Sequence, residues 1–150
     1  MSIHESHVEA EMLGWFEDLD YEVVFGPDLA PDGSNPERKD YRQVILEGRL
    51  QTTLHRLNPE LPPAAITDAI GVLTGAGSPG LISGNREFQR HLTRGIQVYW
   101  QQDGETQSAR VRLVDFADPD KNDWLVVNQF TVVGTTIAGN RERHGVPRPG

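Results

Sequence analysis

Apolar positions in the first part of the chain recur at helical spacing. Val8, Met12, Trp15, Phe16 and Leu19 share one face of a helix predicted from about Ser6 to Leu19. Tyr21-Glu22-Val23-Val24-Phe25 reads as a short strand that stops at Gly26-Pro27, where a loop rich in Pro, Asp, Gly and Asn runs to Pro36. Leu46, Leu50, Leu54 and Leu57 predict a second helix over Tyr41–Leu57, ended by Asn58-Pro59. Pro62-Pro63 suits the first turn of a third, with Ile66, Ile70 and Leu73 inward. After a glycine-rich break from Gly75 to Gly80, a weaker fourth helix is expected over Asn85–Thr93, closed by Gly95.

The periodicity then changes from 3.6 to 2. Ile96, Val98 and Trp100 alternate with Gln97, Tyr99 and Gln101, and Asp103-Gly104 is a hairpin-turn signal. A returning strand is predicted over Arg110–Phe116, a polar loop through Asp123, and a third strand over Trp124–Val133. Helices followed by an antiparallel meander read as an α+β fold in one domain. Residues 134–150 carry no packing pattern and read as loop or frayed tail.

Composition narrows the classes. There is no cysteine, which excludes a disulfide framework and thiolate metal sites. No apolar run is long enough to span a bilayer, and the polar start MSIHESHVEAE fits no secretory or transit signal, so the cytoplasm is expected. The net charge of −8 argues against a DNA clamp built on a basic face of this chain alone. It leaves open a nuclease that gathers carboxylates around a cation.

Few residues stand out as chemistry. A helical wheel puts Glu9 between Leu13 and Phe16, inside the apolar arc, where an acid is costly unless paired or metal-bound. Two readings stay open for it: an outer metal-site carboxylate facing a sheet, or an edge glutamate that reaches solvent or an arginine. The wheel alone weighs toward the second. Glu5 shares the face one turn earlier. His4, His7, His55, His91 and His144 form no ligand pattern, and Asp115, Asp118, Asp120 and Asp123 lack calcium-loop spacing and read as a solvated turn. Gly75–Gly80 lacks the Lys-Ser/Thr ending of a phosphate loop. Asn128, on the core side of the last strand, reads as a structural hydrogen-bond node.

The order of several segments carries more. Val8-Glu9 leads to Leu19-Asp20-Tyr21-Glu22-Val23, then Val44-Ile45-Leu46-Glu47-Gly48-Arg49-Leu50 and Leu57-Asn58-Pro59-Glu60-Leu61-Pro62. Asn85-Arg86-Glu87-Phe88, Gly95-Ile96-Gln97-Val98 and Val114-Asp115-Phe116 follow, and the run closes on residues 122–132, NDWLVVNQFTV. In this order the chain resembles the N-terminal region of type I restriction enzyme R subunits over nearly its whole length. The resemblance implies part of a PD-(D/E)xK nuclease domain over 1–150, the front of a mixed sheet with flanking helices. It implies Mg²⁺ as cofactor, DNA as substrate, methylation and specificity subunits as partners, and ATP only through a motor domain that this chain lacks. It places the family's helix-borne acid at Glu9, as catalytic and metal-binding residue. Arg148-Pro149 matches the approach to the family's aspartate, but Gly150 stands where that aspartate is expected, the Glu-x-Lys strand is missing, and Asp20 replaces a usual glycine. The expectation is therefore a fragment inactive by itself, with a non-catalytic docking or regulatory module as the alternative.

Overall fold

The computed structural model describes residues 3–75 and 81–134, which form an α+β fold. Its elements are α1 (Ile3–Asp18), β1 (Glu22–Phe25), α2 (Gly26–Leu29), α3 (Glu47–Leu57), α4 (Pro63–Thr74), α5 (Leu81–Arg94), β2 (Ile96–Gln102), β3 (Glu105–Val111), a 3₁₀ turn (Pro119–Lys121) and β4 (Leu125–Asn128). The predicted tail beyond Gly134, and the glycine-rich break beyond Gly75, fall outside the described residues.

The main core lies where α3 and α4 pack against the β2–β3 hairpin. Leu54 of α3, Ala65, Ile66 and Ala69 of α4, and Ile96, Val98 and Val111 of the hairpin form one buried cluster. Alanines at 65 and 69 let the helix backbone approach the sheet closely. Along β2 the buried Ile96 and Val98 alternate with the exposed Gln97 and Tyr99, as the period-2 pattern requires. Asp103 and Gly104 both adopt positive φ, 53° and 80°, which gives the strands the twist of a two-residue hairpin. That turn pairs Gln102 with Glu105, so β3 starts at Glu105 and ends at Val111, earlier than the expected Arg110–Phe116.

The expected meander is corrected at its third strand. β4 pairs in parallel with β1, matching Glu22 to Leu125 and Phe25 to Asn128, and does not continue the β2–β3 sheet. Two asparagines explain the departure. The Asn58 carboxamide closes on Arg112 by accepting its N–H (2.9 Å) and donating to its carbonyl (3.0 Å), which ends β3. Asn122 does the same to Asp115, at 2.8 Å in each direction, and folds residues 115–122 into a closed loop. The chain leaving that loop meets the free edge of β1. Parallel strands need a long connection, and here it contains α2 to α5 and the hairpin.

Two other boundaries move for local reasons. Asp40 accepts the N–H groups of Arg42 and Gln43, a side-chain turn that competes with helix, so α3 begins at Glu47 and not at Tyr41. Gln129 has φ 53°, and this left-handed residue stops β4 at Asn128, well short of Val133. The face that α1 turns inward also differs from the expected one. Glu9, Leu13 and Phe16 are half-buried, whereas Val8, Met12, Trp15 and Leu19 are exposed, Trp15 by 64%. Phe16 stacks edge-on against Tyr21 with centroids 5.1 Å apart, and Tyr21 leans on Trp124 at 5.6 Å.

Candidate functional site

β1 and β4 run in parallel and end together at Phe25 and Asn128. The carboxyl ends of parallel strands are where open α/β sheets usually place ligands. α1 lays Glu9 across this edge. Its Oε1 accepts hydrogen bonds from Asn128 Nδ2 (3.1 Å) and Gln129 Nε2 (3.0 Å), and its Oε2 accepts a second contact from Gln129 Nε2 (3.1 Å). No arginine among the described residues partners it. The acid that the wheel places in the apolar arc is thus held by two amides on β4 and the residue after it. Asn128, expected as a structural hydrogen-bond node, donates its side-chain amide to Glu9.

Backbone packing below the carboxylate is tight. A Cβ built on Gly26 would lie 2.4 Å from the carbonyl oxygen of Asn128 and 2.6 Å from that of Gln129. Only glycine lets the end of β1 sit under the residues that hold Glu9. Beyond Gln129 the strand's continuation is tied by Arg38, a buried guanidinium without a carboxylate partner among the described residues. It donates to the carbonyls of Gln43 (2.8 Å), Thr131 (2.8 Å) and Tyr41 (3.0 Å), and its Cζ lies 4.0 Å from the centroid of the Phe130 ring. Val133 N–H donates to the Tyr41 carbonyl, which closes the same loop.

At the other end of β1 is an ionic clamp. Arg49 of α3 bonds bidentately to Glu37, through Nε (2.6 Å) and Nη2 (2.9 Å), and bidentately to Glu22, through Nη1 (2.7 Å) and Nη2 (3.2 Å). The guanidinium lowers the pKa of Glu22, and the two carboxylates raise that of Arg49. A cleft of about 230 Å³ opens beside it, lined by Leu46, Leu50, Leu113, Asp123, Trp124 and Leu125 among others. Glu9 does not line this cleft. One guanidinium engages both carboxylates, so the clamp keeps one negative charge in excess while it joins β1 to α3.

The other singled-out residues do not converge. His4 and His7 are exposed, His91 lies 3.8 Å from Glu87 one helical turn away, and His144 is outside the described residues. The Asp115 carboxylate accepts the N–H groups of Ala117 (3.1 Å) and Asp118 (3.0 Å), which lowers its pKa and commits it to the turn. Among the described residues no group of three His, Asp or Glu side chains could hold a metal. Mg²⁺ usually takes only one or two protein carboxylates, completing its shell with water and substrate phosphate. Glu9 fits such a part: each carboxylate oxygen has about two acceptor positions, so among the described residues Oε1 is filled by its two donors and Oε2 keeps one position without a donor.

Asn58, Arg38, Arg49 and Gln129 were not legible as a set in the sequence. The clue available was the clustering of polar residues inside apolar strings: Asn58 after Leu57, and Asn128-Gln129 between Val127 and Phe130.

These elements define an α+β protein that presents the half-buried carboxylate of Glu9 at the ends of two parallel strands. The chain belongs to the family described as type I restriction enzyme R protein N terminus, whose model matches residues 2–144. It is 29% identical over 130 residues to the type I restriction enzyme HindI endonuclease subunit of Haemophilus influenzae, covering 87% of this chain and 12% of that protein. It is also 29% identical over 125 residues to a protein of Methanocaldococcus jannaschii provisionally named the MjaIXP type I restriction enzyme endonuclease subunit, covering 83% of this chain and again 12% of the relative. The chain therefore spans about an eighth of the length of the curated relatives it matches. No solved structure matches it. Among the described residues no helix is long and apolar enough to cross a membrane.

Proposed function

We propose that this region contributes to Mg²⁺-dependent DNA cleavage by the endonuclease subunit of a type I restriction enzyme, with Glu9 as a metal-site carboxylate. The observation that carries this reading is the seating of Glu9 at the joint carboxyl end of β1 and β4, held by amides, with one acceptor position of Oε2 open among the described residues. Glu22 and Glu37, by contrast, are both taken up by a cation, Arg49. Family membership supports DNA as substrate, a PD-(D/E)xK domain, and methylation and specificity subunits as partners. ATP would act through a motor elsewhere in the parent.

Bound Mg²⁺ would supply charge stabilisation and a more acidic water for phosphodiester hydrolysis. Glu9 would be one oxygen ligand, with further ligands from outside the described residues. On this reading residues 3–134 alone bring one carboxylate and no lysine to the reaction, so by themselves they should not cut DNA.

The test is Glu9→Ala in the complete subunit. Cleavage should fall about a hundredfold or more, as for loss of a group that holds a catalytic metal, while ATP hydrolysis stays near wild type. Wild-type cleavage by the variant would remove Glu9 from the site. Equal loss of cleavage, ATP hydrolysis and thermal stability would favour a second reading, in which the same hydrogen bonds only pin α1 to β4.

A further inference from the structure

Gln129 combines two features that seldom coincide without cause. Its backbone is left-handed, at φ 53°, a conformation that glycine adopts freely and a long side chain does not. Its side chain is the one that touches both oxygens of Glu9, 120 residues away. Gly26 packs against the carbonyls of Asn128 and Gln129, so the turn cannot relax toward β1. If position 129 served only to end β4, glycine would serve it better. A glutamine in this strained position points to the side chain.

We propose that Gln129 is a positioning residue for the Glu9 carboxylate. Its left-handed backbone aims the amide across β4 so that it spans both oxygens, while Asn128 takes the second position on Oε1. The three contacts fix the carboxylate plane and, among the described residues, leave a single acceptor direction on Oε2. Glu9 is thereby restricted to one-oxygen coordination of a divalent cation. Groups that orient a metal ligand in this way typically matter by about ten- to a hundredfold in metal affinity. The inference rests on the reading of Glu9 as a metal-site carboxylate.

The experiment uses the complete subunit without nucleotide and titrates Mn²⁺, followed by water-proton relaxation, beside thermal unfolding. The variants are Gln129→Gly, which releases the backbone and removes the amide, Gln129→Met, which keeps length and strain without donors, and Glu9→Gln. The expected result is a melting temperature at or above wild type for Gln129→Gly, with Mn²⁺ affinity about tenfold or more weaker in both Gln129 variants. Wild-type Mn²⁺ affinity in the Gln129 variants, with affinity lost in Glu9→Gln, would overturn the positioning role and leave the site standing. Unchanged affinity in Glu9→Gln would remove the site itself. A lower melting temperature for Gln129→Gly would make the glutamine structural and also overturn the proposal.

Discussion

The carboxamide of Asn58 pairs with the backbone of Arg112 as a neighbouring strand would, accepting its N–H at 2.9 Å and donating to its carbonyl at 3.0 Å. The same nitrogen donates to the Leu54 carbonyl, so one buried side chain closes the end of α3 and the end of β3 together. Asn58→Ala should remove the partner that this side chain, itself 1% exposed, gives to the part-buried Arg112 N–H and carbonyl and to the Leu54 carbonyl. Each unsatisfied buried group costs about 1–3 kcal/mol, so a loss of about 3 kcal/mol in urea unfolding is expected. Asn58→Asp should be at least as harmful near neutral pH, because a carboxylate would face two carbonyls.

Arg49 predicts a dependence on acid. Its guanidinium holds Glu22 below its ordinary pKa of 4.5, which means that protons bind the unfolded chain more readily than the folded one. The stabilisation is present above the ordinary value and is lost as pH falls through the lowered one. Because the Glu22 side chain is 50% exposed, solvent screening keeps this contribution to a fraction of a kcal/mol. The measurement is the difference in urea midpoint between wild type and Arg49→Met at pH 7 and near pH 3. The gap should shrink at the lower pH, and a gap independent of pH would show that the arginine acts only through packing. Arg49→Lys should not rescue, since an ammonium cannot bridge two carboxylates bidentately.

Gly26 tests the link between packing and site. An added methyl would lie 2.4 Å from the Asn128 carbonyl oxygen, and that atom belongs to backbone that cannot swing aside. Gly26→Ala should destabilise by about 2–3 kcal/mol, in the range of overpacked sites. It should also loosen the amides of residues 128 and 129 toward hydrogen exchange. Protection unchanged at those amides would show that the β1–β4 edge yields more easily than its geometry implies.

Much of the architecture is legible in local pattern. The face of α3 with Leu54 and Leu57, the inward Ile66 of α4, the alternation in β2 and the Asp103-Gly104 turn all follow from periodicity and turn chemistry, because each is decided within a few residues. Glu9 was conspicuous for the same reason: a carboxylate inside an apolar arc is a local anomaly. The wheel could not say which half of that arc would be covered. Residues 3–134 bury its Glu9–Leu13–Phe16 side and leave Trp15 and Leu19 exposed.

What the sequence by itself determined, then, is the set of elements, the hairpin and the identity of the anomalous acid. Tertiary structure alone decided what that acid meets and which strand β4 joins. Parallel pairing of β1 with β4 spans some hundred residues and has no turn of its own to announce it, so it depends on where Asn58 and Asn122 release the chain. The Glu9–Gln129 contact depends further on a single left-handed residue and on the absence of a side chain at Gly26. Those are properties of packed backbone, and no periodicity along the chain encodes them.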